Sequence, residues 1–184
     1  MLEQLGVRYE LLLPDAGEDA ESLEIALPNE EPAAYVKRVT RLKLDAASAR
    51  LVLRKLLPAP ILCSDTTVAF GRIIYGKPDD ALDAERMLSE LAGKTHRVIT
   101  AVAVQHELQR FEALSTSRVS FESMTAMQIK SYVATGEPTG KAGAYAIQGR
   151  VAMHITRING SYSGIMGLPL WETASLLQAA GLEI

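Results

Sequence analysis

The spacing of apolar residues divides the chain into alternating helices and strands. Apolar positions recur every three or four residues along residues 35–49, which predicts an amphipathic helix. The same spacing predicts helices at 80–91 and 170–180, and a glycine lies just beyond each of them, as is common where helices end. A threonine and a glutamine three positions apart form a capping box for a fourth helix, which begins after Thr125.

Runs of apolar and β-branched residues indicate the strands. The clearest is residues 98–104, which is uncharged and rich in β-branched side chains. Runs at 61–70 and 73–75 are joined by a Gly-Arg pair that is typical of a hairpin turn. Further strands are predicted at residues 9–13, 118–124 and 151–158. Because helices and strands interleave, the pattern favours an α/β or α+β domain with a central mixed sheet.

The composition is that of a globular protein without a basic surface for nucleic acid. The chain has 184 residues, and 19 Lys and Arg against 22 Asp and Glu give a formal charge of −3. The single cysteine, Cys63, excludes an internal disulfide and a multi-cysteine zinc site. The apolar runs are too short to span a bilayer, and no leader pattern opens the chain. We therefore expect a cytoplasmic protein that binds neither nucleic acid nor membrane.

A carboxylate interrupts the apolar run at residues 61–70. Asp65 lies there among hydroxyl side chains, where a carboxylate is costly unless it is hydrogen-bonded, paired or bound to a metal. A lone aspartate in such a place most often caps a loop. Lys77, however, follows after a hairpin that can fold it back beside Asp65. Together the two residues are a candidate site for holding a metal or activating water.

Three other polar residues could join this pair, and each also has a purely structural interpretation. Lys43 lies beside the apolar stripe of the first long helix, where most lysines extend to solvent but an inward one would suit a phosphate. Glu18 belongs to an acidic loop with seven carboxylates, a pattern more typical of a solvated face than of a metal site. Gln148 lies among small residues that form either a tight turn or a close approach to a ligand, where its amide could bind a base.

A carboxylate, lysines and an amide are the groups that metal-assisted phosphate chemistry uses. The sequence contains neither a Walker loop nor a Gly-x-Gly-x-x-Gly motif. Its three histidines are far apart and not at ligand spacing. From the residues alone, metal-assisted phosphate chemistry is therefore the favoured hypothesis.

A series of short motifs resembles the Maf family of nucleotide pyrophosphatases. In chain order they are Ser-Asp-Thr-Thr-Val at 64–68, Gly-Lys-Pro at 76–78, Leu-Ala-Gly-Lys-Thr-His at 91–96, Lys-Ala-Gly-Ala-Tyr at 141–145, Ile-Gln-Gly at 147–149, Asn-Gly-Ser-Tyr at 159–162, and Gly-Leu-Pro-Leu at 167–170 before Glu-Thr. Their order and spacing are those of the family, and they cover nearly the whole chain. The blocks at 142–149 and 160–162 are similar to those of the branch that hydrolyses dTTP and UTP, and they differ from the 7-methyl-GTP branch.

The resemblance implies a Maf- or ITPase-like fold, with a mixed, twisted sheet flanked by helices and a cleft between two lobes. It also implies hydrolysis of dTTP, UTP and related modified pyrimidine nucleotides to the monophosphate and pyrophosphate, with a divalent cation such as Mg²⁺ or Mn²⁺. The residues that match the family's site are the proton acceptor and metal ligand Asp65, the phosphate-binding Lys43 and Lys77, the base-selecting Thr66 and Gln148, and the metal-assisting Glu18.

The chain departs from the family pattern at its start. The family opens with a strand and a Ser-x-Ser-Pro-Arg-Arg motif that grips the triphosphate, whereas residues 2–6 here resemble the end of the helix that follows that motif. We therefore expect residues 1–184 to form a single Maf-like domain, N-terminally truncated relative to the family. Two alternatives stay open, a 7-methyl-GTP pyrophosphatase and a non-catalytic nucleotide-binding regulator of cell division. An exposed helix face is compatible with a homodimer.

Overall fold

The computed structural model describes residues 1–15, 17–19 and 21–184. The helices are α1 Pro32–Leu53, α2 Ala81–Leu91, α3 Ala126–Val133, α4 Tyr162–Ile165 and α5 Leu170–Ala179. The strands are β1 Ile61–Phe70, β2 Ile73–Tyr75, β3 Thr95–His106, β4 Gln109–Phe121 and β5 Ile155–Asn159. Short 3₁₀ turns lie at Leu2–Leu5, Glu21–Glu24, Ala142–Ala144 and Arg150–His154.

The five strands form one sheet in the order β2-β1-β3-β4-β5. The expected α/β architecture is confirmed, but the expected mixture of parallel and antiparallel strands is not found, since every pairing among the described residues is antiparallel. Short connections explain two of the four pairings, β1 with β2 and β3 with β4, because a hairpin of a few residues can only join antiparallel neighbours. β1 and β2 are separated by two residues, and so are β3 and β4.

Helices cover both faces of the sheet and place the core on either side of β1. Ala69 of β1 packs with residues of α1, among them Val36 and Val39. Val68, the preceding residue, packs on the other face with residues of α2, α3 and α4. Because side chains alternate along a strand, Asp65 faces the α1 side and Thr66 faces the opposite side.

Three predicted strands are wrong for at least part of their length. The prediction at 118–124 covers only the end of β4 and extends three residues past Phe121. Residues 9–13 are irregular, and the carbonyls of Leu12 and Leu13 accept hydrogen bonds from the Arg50 and Arg54 side chains rather than from a neighbouring strand. Of the predicted strand 151–158, only residues 155–158 lie in a strand, which continues to Asn159 as β5. The preceding 3₁₀ turn buries Val151 and His154, three positions apart, which is the spacing of such a turn and not of a strand.

Each predicted helix is confirmed, although α1 begins three residues earlier and ends four residues later than predicted. Thr125 and Gln128 form the expected capping box at α3. The helix predicted at 35–49 extends over the whole of α1, although its buried face includes Val36, Thr40 and Leu44 while Ala49 is exposed. In the part of the chain that the structure describes, no helix combines the length and the apolar character needed to cross a membrane.

The apolar face of α2 offers a test of the packing. Leu88 is fully buried, whereas Leu82 of the same helix is 74% exposed. We expect Leu88→Ala to lower the free energy of unfolding by about 2–5 kcal/mol, because it leaves a cavity in the core. Leu82→Ala should change it by less than about 0.5 kcal/mol. Denaturant unfolding of both variants checks this, and equal losses would contradict the assigned face.

Candidate active site

A cavity of about 270 Å³ opens around β1 and is lined from both sides of the sheet. On the α1 side its lining is charged and includes Asp65, Lys43, Glu24 and Lys77. On the opposite side most of the lining is uncharged, with hydroxyl, amide, aromatic and aliphatic groups of Thr66, Val68, Tyr145, Ile147, Gln148 and Ile165, and Lys141 of the same loop also lines the cavity. The cavity therefore has one end suited to phosphates and another suited to a flat, uncharged ring.

Four side chains form the charged end, and Lys43 is at its centre. The Lys43 ammonium lies 2.5 Å from Asp65 Oδ1 and 2.8 Å from Glu24 Oε1. Lys77 donates to the other oxygen of Glu24 at 2.7 Å. The hairpin of β1 and β2 folds Lys77 back toward β1, and the Gly143 N–H, which donates to the Gly76 carbonyl at 2.9 Å, fixes this turn against the 3₁₀ turn Ala142–Ala144.

Burial and charge act against each other in this cluster. Burial raises the pKa of Asp65 above its ordinary value, and the Lys43 ammonium opposes that rise without cancelling it. For Glu24 burial also acts upward, but hydrogen bonds from Lys43 and Lys77 outweigh it and leave the pKa lowered. Asp65 is therefore the carboxyl group of the two whose affinity for a proton is increased by its surroundings, which suits a proton acceptor.

A hydrogen bond from α1 holds the backbone of Glu24 beside the cavity. The Tyr35 hydroxyl donates to the Glu24 carbonyl at 2.8 Å, at the end of the 3₁₀ turn Glu21–Glu24. Tyr35 is itself buried, and this burial raises its pKa to about 12. Its phenol therefore stays protonated and keeps donating across the physiological pH range.

The structure does not bring Glu18 into the cavity. Its carboxylate binds the buried Arg50 guanidinium on α1, with oxygen to nitrogen distances of 2.9 and 2.5 Å. Hydrogen bonds from Arg50 lower the pKa of Glu18 to about 2. Glu18 thus fixes the acidic loop to α1, and Glu24, six residues later, is the loop carboxylate beside Asp65 and Lys43.

The neutral end is formed by a loop that packs closely on β1. Gly143 has a φ of +67°, and a Cβ there would lie 2.9 Å from the Val68 side chain, so only glycine fits. Tyr145, two residues after Gly143, is buried, and its hydroxyl lies 2.8 Å from Nε2 of the buried His96. Gln148 is exposed at the rim of the cavity, where its amide is accessible to a ligand.

The carboxylates of Asp65 and Glu24 are oxygen ligands of the type that Mg²⁺ prefers. Among the residues that the structure describes, no group of three or more His, Cys, Asp or Glu side chains could hold a metal ion. A cation held by these two residues would thus take further ligands from bound phosphate oxygens, as Mg²⁺ commonly does. The residues present fit a divalent cation shared with a triphosphate.

Comparison with known proteins identifies the family. Residues 1–180 match the family model described as Maf-like protein. The chain belongs to the Maf-like family. A protein of a Polaromonas species, named dTTP/UTP pyrophosphatase, is 69% identical over 184 residues, which are all of this chain and 91% of that protein. Proteins with the same name from Albidiferax ferrireducens and Cupriavidus metallidurans are 64% and 60% identical, and each alignment covers 100% of this chain and 92% of the relative.

Five of the six site residues expected from the Maf resemblance line one cavity in this Maf-like chain. They are Asp65, Lys43, Lys77, Thr66 and Gln148. Sequence reasoning missed Glu24, because seven carboxylates share the acidic segment and no spacing distinguishes one of them. The signal that selects it is a tertiary contact, the hydrogen bond from Tyr35.

Proposed function

We propose that this protein is a nucleoside triphosphate pyrophosphatase that hydrolyses dTTP and UTP to the monophosphate and pyrophosphate. The observation that carries the proposal is the cavity itself, with two carboxylates and two lysines at one end and a mostly uncharged end beyond β1. The relatives from Polaromonas, Albidiferax and Cupriavidus, which align with the whole chain, are named for this activity. A cytoplasmic location, expected from the composition and from the lack of a leader pattern or a bilayer-spanning run, accords with a nucleotide substrate.

The charged end supplies the groups that the hydrolysis needs. Lys43 and Lys77 bind non-bridging phosphate oxygens, exchanging part of their present contacts with carboxylates for contacts with the substrate. Asp65 accepts a proton from the attacking water, whose oxygen bonds to phosphorus while the anhydride bond between the α- and β-phosphates breaks. Pyrophosphate leaves with the electron pair of that bond. A divalent cation, when held by Asp65 and Glu24, would neutralise charge on the phosphates.

The neutral end selects the nucleotide. A pyrimidine ring placed there lies against Val68 and Tyr145 and within reach of two polar side chains, Thr66 and Gln148. The Gln148 amide offers both a donor and an acceptor, so it can bind a base edge. Binding of the ring at this end orients the triphosphate toward Asp65.

A substrate panel tests this proposal. Pyrophosphate release is measured from dTTP, UTP, CTP, dATP, dGTP and 7-methyl-GTP, with Mg²⁺ and with Mn²⁺. We expect the highest kcat/KM for dTTP and UTP. Fastest release from 7-methyl-GTP would contradict the substrate assignment, and nucleotide binding without turnover would favour a non-catalytic binding protein.

The pH dependence should identify Asp65 as the proton acceptor, because only its ionised form can accept a proton. Lys43 lowers the pKa of Asp65, whereas Glu24 raises it. We therefore expect Lys43→Gln to move the acidic limb of kcat/KM to higher pH and Glu24→Gln to move it to lower pH. pH profiles of the wild-type protein and the two variants check this, and shifts of both variants in the same direction would exclude Asp65 as the titrating group.

A further inference from the structure

A buried threonine lies next to the neutral end of the cavity. Thr100 of β3 is paired with Thr66 of β1 in the sheet register, so their side chains share a face. Thr100 is 1% exposed and lies beside Thr66, which lines the cavity. The two hydroxyl oxygens are 2.8 Å apart, and the Thr100 hydroxyl also lies 2.7 Å from the carbonyl oxygen of Gly164 in α4.

These contacts fix the direction of each hydrogen bond. A carbonyl has no hydrogen to give, so Thr100 must be the donor to Gly164. A hydroxyl has one hydrogen, so Thr100 can only accept from Thr66. The one hydrogen of Thr66 is thereby directed away from the cavity. Toward a ligand, Thr66 presents lone pairs and acts as a hydrogen-bond acceptor.

An acceptor at this point distinguishes the pyrimidine bases. Uracil and thymine carry an N–H at ring position 3, whereas cytosine has a bare nitrogen with a lone pair there. We propose that Thr100 is a positioning residue for base selection, because it orients the Thr66 hydroxyl so that the site favours uracil and thymine over cytosine. This inference rests on the proposed function and adds to it the residue that sets the polarity of base recognition.

Two substitutions of Thr100 separate this positioning role from a purely structural one. Valine has the shape of threonine without the hydroxyl, so Thr100→Val keeps the branched side chain in β3. The Gly164 carbonyl does not lose its only donor, since it also accepts the backbone N–H of Gly167 at 3.0 Å. In this variant the Thr66 hydroxyl is free to turn and donate to the ring nitrogen of cytosine. Thr100→Ser keeps a hydroxyl that can make both hydrogen bonds.

The test compares kcat/KM for UTP and CTP in the wild-type protein, Thr100→Val and Thr100→Ser. We expect the UTP to CTP ratio to fall by about tenfold or more in Thr100→Val, as is typical when a mismatched polar contact is relieved. Thr100→Ser should keep the wild-type ratio. An unchanged ratio in Thr100→Val, or the same loss in both variants, would overturn the inference. A general packing defect would lower both rates together without changing their ratio.

Binding distinguishes failure of this inference from failure of the proposed function. The affinities of the three proteins for UMP and CMP are measured by calorimetry, which requires no turnover. If the wild-type protein binds UMP but hydrolyses no triphosphate, the proposed function is wrong, and the change of the UMP to CMP affinity ratio in Thr100→Val decides the inference. If the wild-type protein hydrolyses UTP and the ratio is the same in Thr100→Val, only the inference is overturned.

Discussion

Asp65→Asn is expected to lower kcat for dTTP by about 10²- to 10⁴-fold, the range that a positioned proton acceptor contributes. Asparagine has nearly the same shape but cannot accept the proton of the attacking water. It still accepts a hydrogen bond from Lys43, which now lies 2.5 Å from Asp65, so the cavity should keep its form. Nucleotide binding should therefore survive, and steady-state kinetics together with calorimetry measures both effects.

Asp45→Asn is the matched control for this variant. Asp45 also pairs with a cation, Arg110 at 2.5 Å, but it is exposed on the outer side of α1 and outside the cavity. Its substitution should leave kcat unchanged, since exposed ion pairs contribute little. Equal turnover in Asp65→Asn and the control would remove Asp65 from the chemistry and point to a contaminating activity.

Glu24→Gln is expected to lower kcat/KM by about 10²-fold, a loss of the size seen when one preorganised charged contact is removed. Glu24 accepts hydrogen bonds from both Lys43 and Lys77, so it sets the positions of the two ammonium groups. Glutamine has one acceptor oxygen and no charge, so it cannot hold both lysines or help to hold a cation. Steady-state kinetics with dTTP measures the loss.

Glu18→Gln is the control that separates the two acidic-loop residues. Glu18 binds Arg50 away from the cavity, so its substitution should lower Tm and leave kcat/KM for dTTP unchanged. Thermal unfolding and kinetics of both variants check this. A loss of activity in Glu18→Gln with full activity in Glu24→Gln would restore the role that the sequence alone suggested for Glu18.

The sequence predicts best those features that depend on neighbours along the chain. The buried face of α2 contains Ala84, Met87, Leu88 and Leu91, which follow the helical spacing that predicts this helix. The capping box at Thr125 needs only two residues three positions apart. Asp65 and Lys77 reach one cavity because a two-residue turn joins β1 and β2, and that turn is visible in the sequence.

Features that depend on distant contacts could not be predicted in this way. The choice of Glu24 over Glu18 is made by Tyr35 and Arg50, which lie on the same face of α1 but at different points along it. The apolar residues at 9–13 predict a strand, but arginine side chains donate hydrogen bonds to two of the carbonyls there. The direction of the hydrogen bond from Thr66 follows from a carbonyl in α4, far along the chain.

Product analysis tests the central claim most directly. Purified protein is incubated with dTTP and a divalent cation, and the products are separated by anion exchange. Water attack at the charged end of the cavity, with pyrophosphate as the leaving group, predicts equal amounts of dTMP and pyrophosphate, formed about 10²- to 10⁴-fold more slowly by Asp65→Asn. Formation of dTDP and inorganic phosphate would contradict the account, because it would mean that a different anhydride bond is broken.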